Sequence, residues 1–196
     1  MADAAISVRA LRKSYGALEA VAGISFEVER GEVFGLLGPN GAGKTTTVEI
    51  LEGYRERSGG DVSVLGFDPE KADLDLKQRV GVVLQTMGFY PNATVRESVE
   101  HIAGFYPHPR DVAETIALVG LDGNEDKRAR HLSGGQRRRL DLALALVGDP
   151  EMIFLDEPPV EDGQRPRLAA HERRRSRLAG ARRGALRRQP RSLAAR

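Results

Sequence analysis

The stretch Val33-Phe-Gly-Leu-Leu-Gly38-Pro-Asn-Gly-Ala-Gly43-Lys44-Thr45 decides the fold of this 196-residue chain. Its first five residues form a short apolar run, which is typical of a buried strand. They lead directly into a glycine-rich loop, and residues 45–53 follow as a predicted helix that ends at a glycine. A strand, a glycine-rich loop carrying a lysine and a threonine, and a helix together predict a loop that binds phosphate groups.

The chemistry of a phosphate site explains the residue types in this loop. Glycines let the backbone wrap closely around a phosphate, whose charge is met by backbone N–H groups and by the helix N-terminus. Lys44 is predicted to reach the β- and γ-phosphates, and the Thr45 hydroxyl is predicted to bind Mg²⁺. The candidate nucleotide-binding residues of the loop and first helical turn are Gly38, Pro39, Asn40, Gly41, Ala42, Gly43, Lys44, Thr45 and Thr46.

A second motif, Ile153-Phe-Leu-Asp156-Glu157, ends an apolar strand with two carboxylates. Alone, this pattern is equally well explained by a buried strand that leaves the core. Downstream of a phosphate loop it indicates a metal site, in which Asp156 helps to hold Mg²⁺ and the next carboxylate can orient water.

Between these motifs lies Leu132-Ser133-Gly134-Gly135-Gln136, which alone could be a plain turn into a helix. In this order, over about residues 5–158, the three motifs resemble the ATP-binding subunits of ABC transporters. The resemblance implies that Gln85 contacts Mg²⁺ and the lytic water, and that Tyr15 stacks on adenine. It also implies that two cassettes face each other, so that one cassette binds the γ-phosphate held by the other through its signature residues: Ser133, Gly134, Gly135 and Gln136.

The family resemblance also implies the function. ATP and Mg²⁺ would be the cofactors, Glu157 the general base, and Lys44 a residue that stabilises developing charge. Hydrolysis would power export through a separate transmembrane permease, with the chain acting as a homodimer in the cytoplasm, bound to the inner face of the membrane. Segments 50–54, 58–66 and 94–97 are most similar to bacterial drug-resistance exporter ATPases.

The expected fold class is α/β: a P-loop NTPase core of ABC type with an antiparallel lead-in and a helical subdomain at about residues 90–150. Residues 6–11 and 24–28 alternate like half-buried strands, and strands are also predicted at 61–65, 79–84 and 152–155. In the helical part, Gly134-Gly135 is interpreted as an interruption before the third helix. The first helix is expected to bury one face, formed by Val95, Val99, Ile102 and Phe105.

Residues 159–196 differ in kind from the preceding ABC-type domain, residues 1–158. They contain twelve arginines and three acidic residues, a net charge of +9, whereas residues 1–158 carry −7. We predict that this arginine-rich tail is non-homologous and disordered. The D-loop and switch histidine of the family are absent, so a central strand should be missing and two core strands should have unpaired edges. We interpret the tail as the product of truncation or a frameshift after the second motif, and expect poor ATP hydrolysis.

Composition limits the remaining possibilities. The chain has no cysteine, which excludes disulfide and thiol chemistry, and no apolar run of about 18 residues or signal peptide is evident. One alternative is a soluble ABC-type ATPase that acts on nucleic acid or ribosomes through the basic tail. No nucleic-acid partner is expected, because the chain shows neither the long coiled coil of the DNA-repair type nor the two cassettes of translation factors. Another is an ATP-binding fragment that does not hydrolyse its nucleotide.

Overall fold

A long antiparallel hairpin begins the fold in the computed structural model, which describes residues 4–71, 74–83 and 90–155 and the backbone of 192–194. Its strands are β1 (Ala4–Tyr15) and β2 (Leu18–Glu29), and the turn between them contains Gly16 with φ of 59°. That positive φ favours glycine because a Cβ is disfavoured there. The predicted lead-in is therefore confirmed, with strands longer than the alternating residues indicated.

The hairpin continues into the phosphate-loop strand and helix. β3 (Gly35–Leu37) precedes the glycine-rich loop, and α1 (Lys44–Leu51) follows it. β4 (Gly59–Val64) then pairs antiparallel with β1, which gives a sheet in the order β2, β1, β4. Buried side chains of this sheet pack with Ile50 and Leu51 of α1 into a first apolar core.

A parallel strand pair lies beside this core. A 3₁₀ turn (Pro69–Lys71) and α2 (Leu74–Arg79) lead to β5 (Val80–Val83), which pairs in parallel with β6 (Met152–Leu155). Phe154 belongs to the first core, whereas Ile153 packs against a second core. Because successive strand residues face opposite sides, β6 connects the two cores.

Three helices build the second core: α3 (Val95–Ala103), α4 (Val112–Leu118) and α5 (Gly134–Leu146), with a 3₁₀ turn at Ala129–His131. Thr94 and Glu97 form a capping box that starts α3, and the Asp111 side chain caps α4. β5 approaches this layer closely, since a Cβ on Gly81 would lie 2.4 Å from the Ala145 carbonyl oxygen of α5. The predicted helical subdomain is thus a packed layer against the parallel strands.

Three details of the sequence prediction are wrong. Phe105 is 68% exposed, because α3 ends at Ala103 and the apolar stripe does not continue past Gly104. Gly134 and Gly135 form the first turn of α5, because the Ser133 side chain caps the helix before them. Val33 precedes β3 and is 76% exposed, whereas a buried strand was expected.

The edge of β3 also differs from expectation. β7 (Ser192–Ala194) pairs in parallel with β3, so three residues of the arginine-rich tail supply a strand where none was predicted. Within the described strands, no pairing joins β3 directly to β6. The position between these strands is the one where the resemblance places a further strand.

Several sequence predictions lie outside the described residues: those for Gln85, Asp156, Glu157 and all of the tail except 192–194. Among the described helices, none has the length and apolar character needed to cross a membrane.

Candidate functional site

The glycine-rich loop joins β3 to α1 with the backbone conformations that a phosphate cradle requires. Gly41 and Gly43 have φ of 83° and 77°, and the Ala42 N–H donates to the Pro39 carbonyl across the turn (3.2 Å). Gly43 is the N-cap of α1, and no side chain of the described residues is seen to cap that helix end. The first N–H groups of α1 therefore keep their capacity to bind an anion.

Lys44 lies across this loop. Its Nζ donates to the carbonyl oxygens of Gly38 (2.7 Å) and Pro39 (2.8 Å). The ammonium is thus held over the loop that the sequence predicts to surround the phosphates. Thr45 is exposed in the first turn of α1 and Thr46 is half-buried, whereas the buried Thr47 donates its hydroxyl to the Gly43 carbonyl (2.8 Å).

The β1–β2 hairpin packs directly against the phosphate loop. A Cβ on Gly43 would lie 2.3 Å from the carbonyl oxygen of Ala20 and 3.0 Å from a methyl group of Val21. Glycine is therefore required here by both its φ and the close approach of β2. This contact brings the tip of the hairpin, with Tyr15, to the same part of the molecule as the loop.

Tyr15 is 41% exposed at the end of β1, and two cations contact its ring. The Lys13 Nζ lies 5.1 Å from the ring centroid, and the Arg55 Cζ lies 5.5 Å from it. Both distances fall in the range of cation–π attraction. Sequence reasoning identified Tyr15 but missed both cations. Lys13 lies two residues before Tyr15 in the same strand, whereas nothing in the local pattern links residue 55 to residue 15.

The signature residues start α5 on the helical layer. Ser133 and Gln136 form a reciprocal capping box: the Gln136 N–H donates to Ser133 Oγ (3.2 Å), and the Ser133 N–H donates to Gln136 Oε1 (3.1 Å). Gln136 is also bonded to Asn124 and Lys127, which fixes its side chain. Ser133, Gly134 and Gly135 are exposed, so this helix end is accessible to a second molecule.

An ion-pair network fixes the start of β6, the strand that leads to Asp156. Glu151 accepts from Arg79 Nε (2.6 Å) and from Arg30 Nη1 (2.8 Å). The hydrogen bond from Arg79, followed by that from Arg30, lowers the pKa of Glu151 to about 2. The network joins the segment after β2, the end of α2 and the second motif's strand.

The sequence analysis also missed a buried carboxyl group on α5. Asp141 is only 8% exposed, and its Oδ1 has no hydrogen-bond partner among the described residues. Burial raises the pKa of Asp141 to about 6, although the charge of Arg138 opposes the shift. A polar residue within a leucine-rich helix gives no sequence signal that distinguishes a buried carboxylate from a solvated one.

A strand, a glycine loop with a lysine ammonium across it, and an uncapped helix N-terminus together define a P-loop nucleotide-binding fold. Comparison with known proteins makes the class specific. The family described as "ABC transporter" matches residues 21–160. The chain therefore belongs to the ABC transporter family of ATP-binding proteins.

Named relatives agree with this assignment. The Nod factor export ATP-binding protein I of Burkholderia orbicola is 40% identical over 184 residues, which cover 91% of this chain and 60% of that protein. The linearmycin resistance ATP-binding protein LnrL of Bacillus subtilis is 36% identical over 155 residues, covering 76% of this chain and 50% of the relative. The chain thus spans about 60% or less of the length of these relatives.

Solved structures support the fold. CbiO1 of Clostridium perfringens, described as part of the ABC transporter complex cbiONQ, has a TM-score of 0.67 and 29% identity, covering 80% of this chain and 66% of that one. A structure described as the ATP-binding subunit of an ABC transporter has a TM-score of 0.69 at 24% identity, covering 79% of this chain and 67% of its own, and shows the fold alone. The predicted fold class and family are confirmed.

Proposed function

We propose that this chain binds ATP with Mg²⁺ at the glycine-rich loop and hydrolyses it in a pair of cassettes, powering export of a substrate through a separate membrane permease. Relatives named for Nod factor export and linearmycin resistance support an export role, although a relative named for spermidine/putrescine import is also similar, at 37% identity over 158 residues.

The observation that carries the proposal is the conformation of the loop around Gly43. The cradle is formed by positive φ values at Gly41 and Gly43 and by the N-terminus of α1, which the N-cap residue Gly43 does not cap with a side chain. The loop contacts β2 closely, and a side chain at residue 43 would disrupt this contact. A triphosphate fits this donor set because its charge is met by backbone N–H groups and one ammonium.

The residues of the cradle would act in sequence on the nucleotide. We infer that Lys44 exchanges its hydrogen bonds to the Gly38 and Pro39 carbonyls for bonds to phosphate oxygens. Thr45, exposed in the first helical turn, would place its hydroxyl towards the metal together with Asp156 and Gln85. Bound Mg²⁺ would help to neutralise the negative charge of the phosphates. Glu157, which directly follows the proposed metal ligand Asp156, would accept the proton of the attacking water.

The exposed start of α5 is proposed to complete the site of a second, identical chain. Ser133 and Gly134 present a helix N-terminus, which favours an anion such as the partner's γ-phosphate. ATP would then act as the contact between two copies, and its hydrolysis would release them.

A groove between the two layers is the proposed contact for the permease at the inner face of the membrane. It has a volume of about 380 Å³ and lies between the end of α1, β5 and helices α3 and α5. Apolar side chains line much of it, and the exposed Tyr54 stands at its rim. Gln85 follows the last residue of β5 by two positions in the sequence, and the family resemblance implies that it contacts Mg²⁺ and the lytic water and faces the membrane subunit.

Hydrolysis is tested with the full chain and its Glu157→Gln variant. ATP binding is measured by calorimetry, and phosphate release is followed at saturating ATP and Mg²⁺. We expect both proteins to bind ATP, and slow turnover of the unmodified chain to disappear in Glu157→Gln. Turnover should be slow because the family's D-loop and switch histidine are absent from the sequence.

Two results would contradict the proposal. ATP binding with no turnover above the Glu157→Gln background would favour a non-hydrolysing nucleotide binder. Turnover that requires added RNA or DNA, and that vanishes when residues 159–196 are deleted, would favour the nucleic-acid alternative.

A further inference from the structure

The side chain of Arg55 connects the tip of the first hairpin to the helix of the phosphate loop. Its Nε donates to Glu49 Oε2 at 2.6 Å, and its Cζ lies 5.5 Å from the centroid of the Tyr15 ring. Glu49 belongs to α1, whereas Tyr15 ends β1. One guanidinium thus contacts both elements that flank the proposed nucleotide site.

The backbone of Arg55 is fixed to the same helix. The N–H groups of Tyr54 and Arg55 both donate to the carbonyl oxygen of Glu49, at 2.9 and 3.2 Å. Arg55 is therefore held to α1 by a main-chain and a side-chain hydrogen bond that it donates to Glu49. A planar guanidinium can hydrogen-bond through its edge while its face lies against an aromatic ring, which an ammonium cannot do.

We propose that Arg55 is a positioning residue that holds the Tyr15 ring in place for the nucleotide base, through the Glu49–Arg55–Tyr15 contacts. The inference rests on the proposed function, in which Tyr15 stacks on adenine. Since α1 begins at the phosphate loop, Arg55 sets the position of the base platform relative to the phosphates. A platform that is ordered before binding loses less conformational entropy when the base arrives.

Lys13 has a different role at the same ring. Its Nζ lies 5.1 Å from the centroid, but Lys13 belongs to β1, as Tyr15 does. It can attract the ring without connecting it to α1. Arg55 is the residue whose loss should uncouple base binding from phosphate binding.

The test compares ATP with inorganic tripolyphosphate, which lacks the base and ribose. Dissociation constants for both, with Mg²⁺, are measured by calorimetry on the full chain and on Arg55→Ala, Arg55→Lys, Tyr15→Ala and the Tyr15→Ala/Arg55→Ala double variant. Arg9→Ala is the matched control, because Arg9 is an exposed arginine of the same hairpin that pairs with Glu27 instead.

Arg55→Ala should weaken ATP binding about three- to fivefold, the size of an exposed cation–π contact, and leave tripolyphosphate binding unchanged. Arg55→Lys should give an intermediate loss, and Arg9→Ala should leave the ratio of the two constants unchanged. The double variant should bind ATP no more weakly than Tyr15→Ala. Thermal unfolding of each variant identifies any that fail to fold. If Arg55→Ala fails to fold, the binding of ATP and tripolyphosphate is compared between Arg55→Lys and the unmodified chain instead.

An equal loss of ATP and tripolyphosphate binding in Arg55→Ala would overturn the inference, because the effect would then be one of charge alone. The inference would also be overturned if the loss of ATP affinity in the double variant equalled the product of the losses in Tyr15→Ala and Arg55→Ala, because the two residues would then act independently. If the unmodified chain itself binds ATP no better than tripolyphosphate, the proposed role of Tyr15 fails, and the inference fails with it. If the Tyr15→Ala loss is present but Arg55→Ala has no effect, only the inference fails.

Discussion

Replacing Asp141 with asparagine should stabilise the protein at neutral pH and do so much less in acid. Asp141 is 8% exposed on α5, and its Oδ1 has no partner among the described residues. The folded protein consequently favours the protonated form, with a pKa of about 6 for Asp141 against an ordinary value of 3.8. Asparagine has nearly the same shape and carries no charge to desolvate.

The sign and size follow from proton linkage. Between about pH 4 and pH 6 the folded state retains a proton that the unfolded state has lost, so the free energy of unfolding falls as pH rises. A shift of about two pKa units costs up to about 3 kcal/mol above pH 6. At about pH 4.5 the same shift lowers the free energy of unfolding by only about 1 kcal/mol. Asp141→Asn should therefore raise the free energy of unfolding by about 2 kcal/mol more at about pH 7.5 than at about pH 4.5.

Urea unfolding followed by circular dichroism measures this difference, since the chain has no tryptophan to report by fluorescence. Arg138→Gln is the matched control, because the charge of Arg138 opposes the shift at Asp141. It should destabilise the unmodified chain at neutral pH and have little effect in the Asp141→Asn background. An equal gain at both pH values, or a loss at neutral pH, would refute the reasoning, because either result means that the carboxylate is not penalised by burial.

Three further predictions concern the loop, the signature and the ion-pair network. Gly43→Ala should destabilise the chain by about 2 kcal/mol or more in urea unfolding, because its Cβ would meet a backbone oxygen of β2. Gly41→Ala should cost about 1 kcal/mol, because its Cβ is disfavoured only by the left-handed φ. Equal losses in the two variants would contradict the close approach of the hairpin. Ser133→Asp should keep the α5 cap and the melting temperature but abolish ATP-dependent dimerisation in analytical ultracentrifugation. Thr94→Ala should lose a cap worth about 1 kcal/mol and still dimerise. Dimerisation of Ser133→Asp would exclude Ser133 from the partner's site. Glu151→Gln should lower the free energy of unfolding by about 1 kcal/mol at neutral pH, after allowance for solvent screening of the partly exposed side chain. This loss of stability should fade as pH drops through 4.5 towards 2, because the pKa of Glu151 is lowered in the folded state. A pH-independent difference in melting curves would argue against the ion pairs.

The order of elements around the phosphate loop could be predicted because local patterns determine it. Alternating residues gave the β1–β2 hairpin, and Gly43 with Lys44 marked the loop and the start of α1. The same reasoning failed at Phe105, where periodicity alone did not show that α3 ends one residue before Gly104. Gly134 and Gly135 were misassigned because two consecutive glycines usually indicate a turn, whereas here the capping box of Ser133 and Gln136 starts α5 before them.

The rest of the site depends on contacts between residues distant in sequence. Arg55 meets Tyr15 only because the hairpin folds onto α1, and the intervening residues 16–54 carry no pattern that indicates the contact. The pairing of β3 with residues 192–194 is equally non-local. Family resemblance supplied the roles of Gln85, Asp156 and Glu157, which remain predictions because these residues lie outside the described part of the chain.

The central claim is that the loop from Gly38 to Thr45 binds ATP, and calorimetric titration of the full chain with ATP and Mg²⁺ tests it most directly. The Lys44→Ala variant removes the ammonium that lies over the loop, and Lys77→Ala on α2 removes the same charge elsewhere. We predict that the unmodified chain and Lys77→Ala bind ATP equally, and that Lys44→Ala binds at least about tenfold more weakly, as expected for loss of a charge-assisted hydrogen bond. Equal affinity in all three proteins, or no binding by the unmodified chain, would contradict the account.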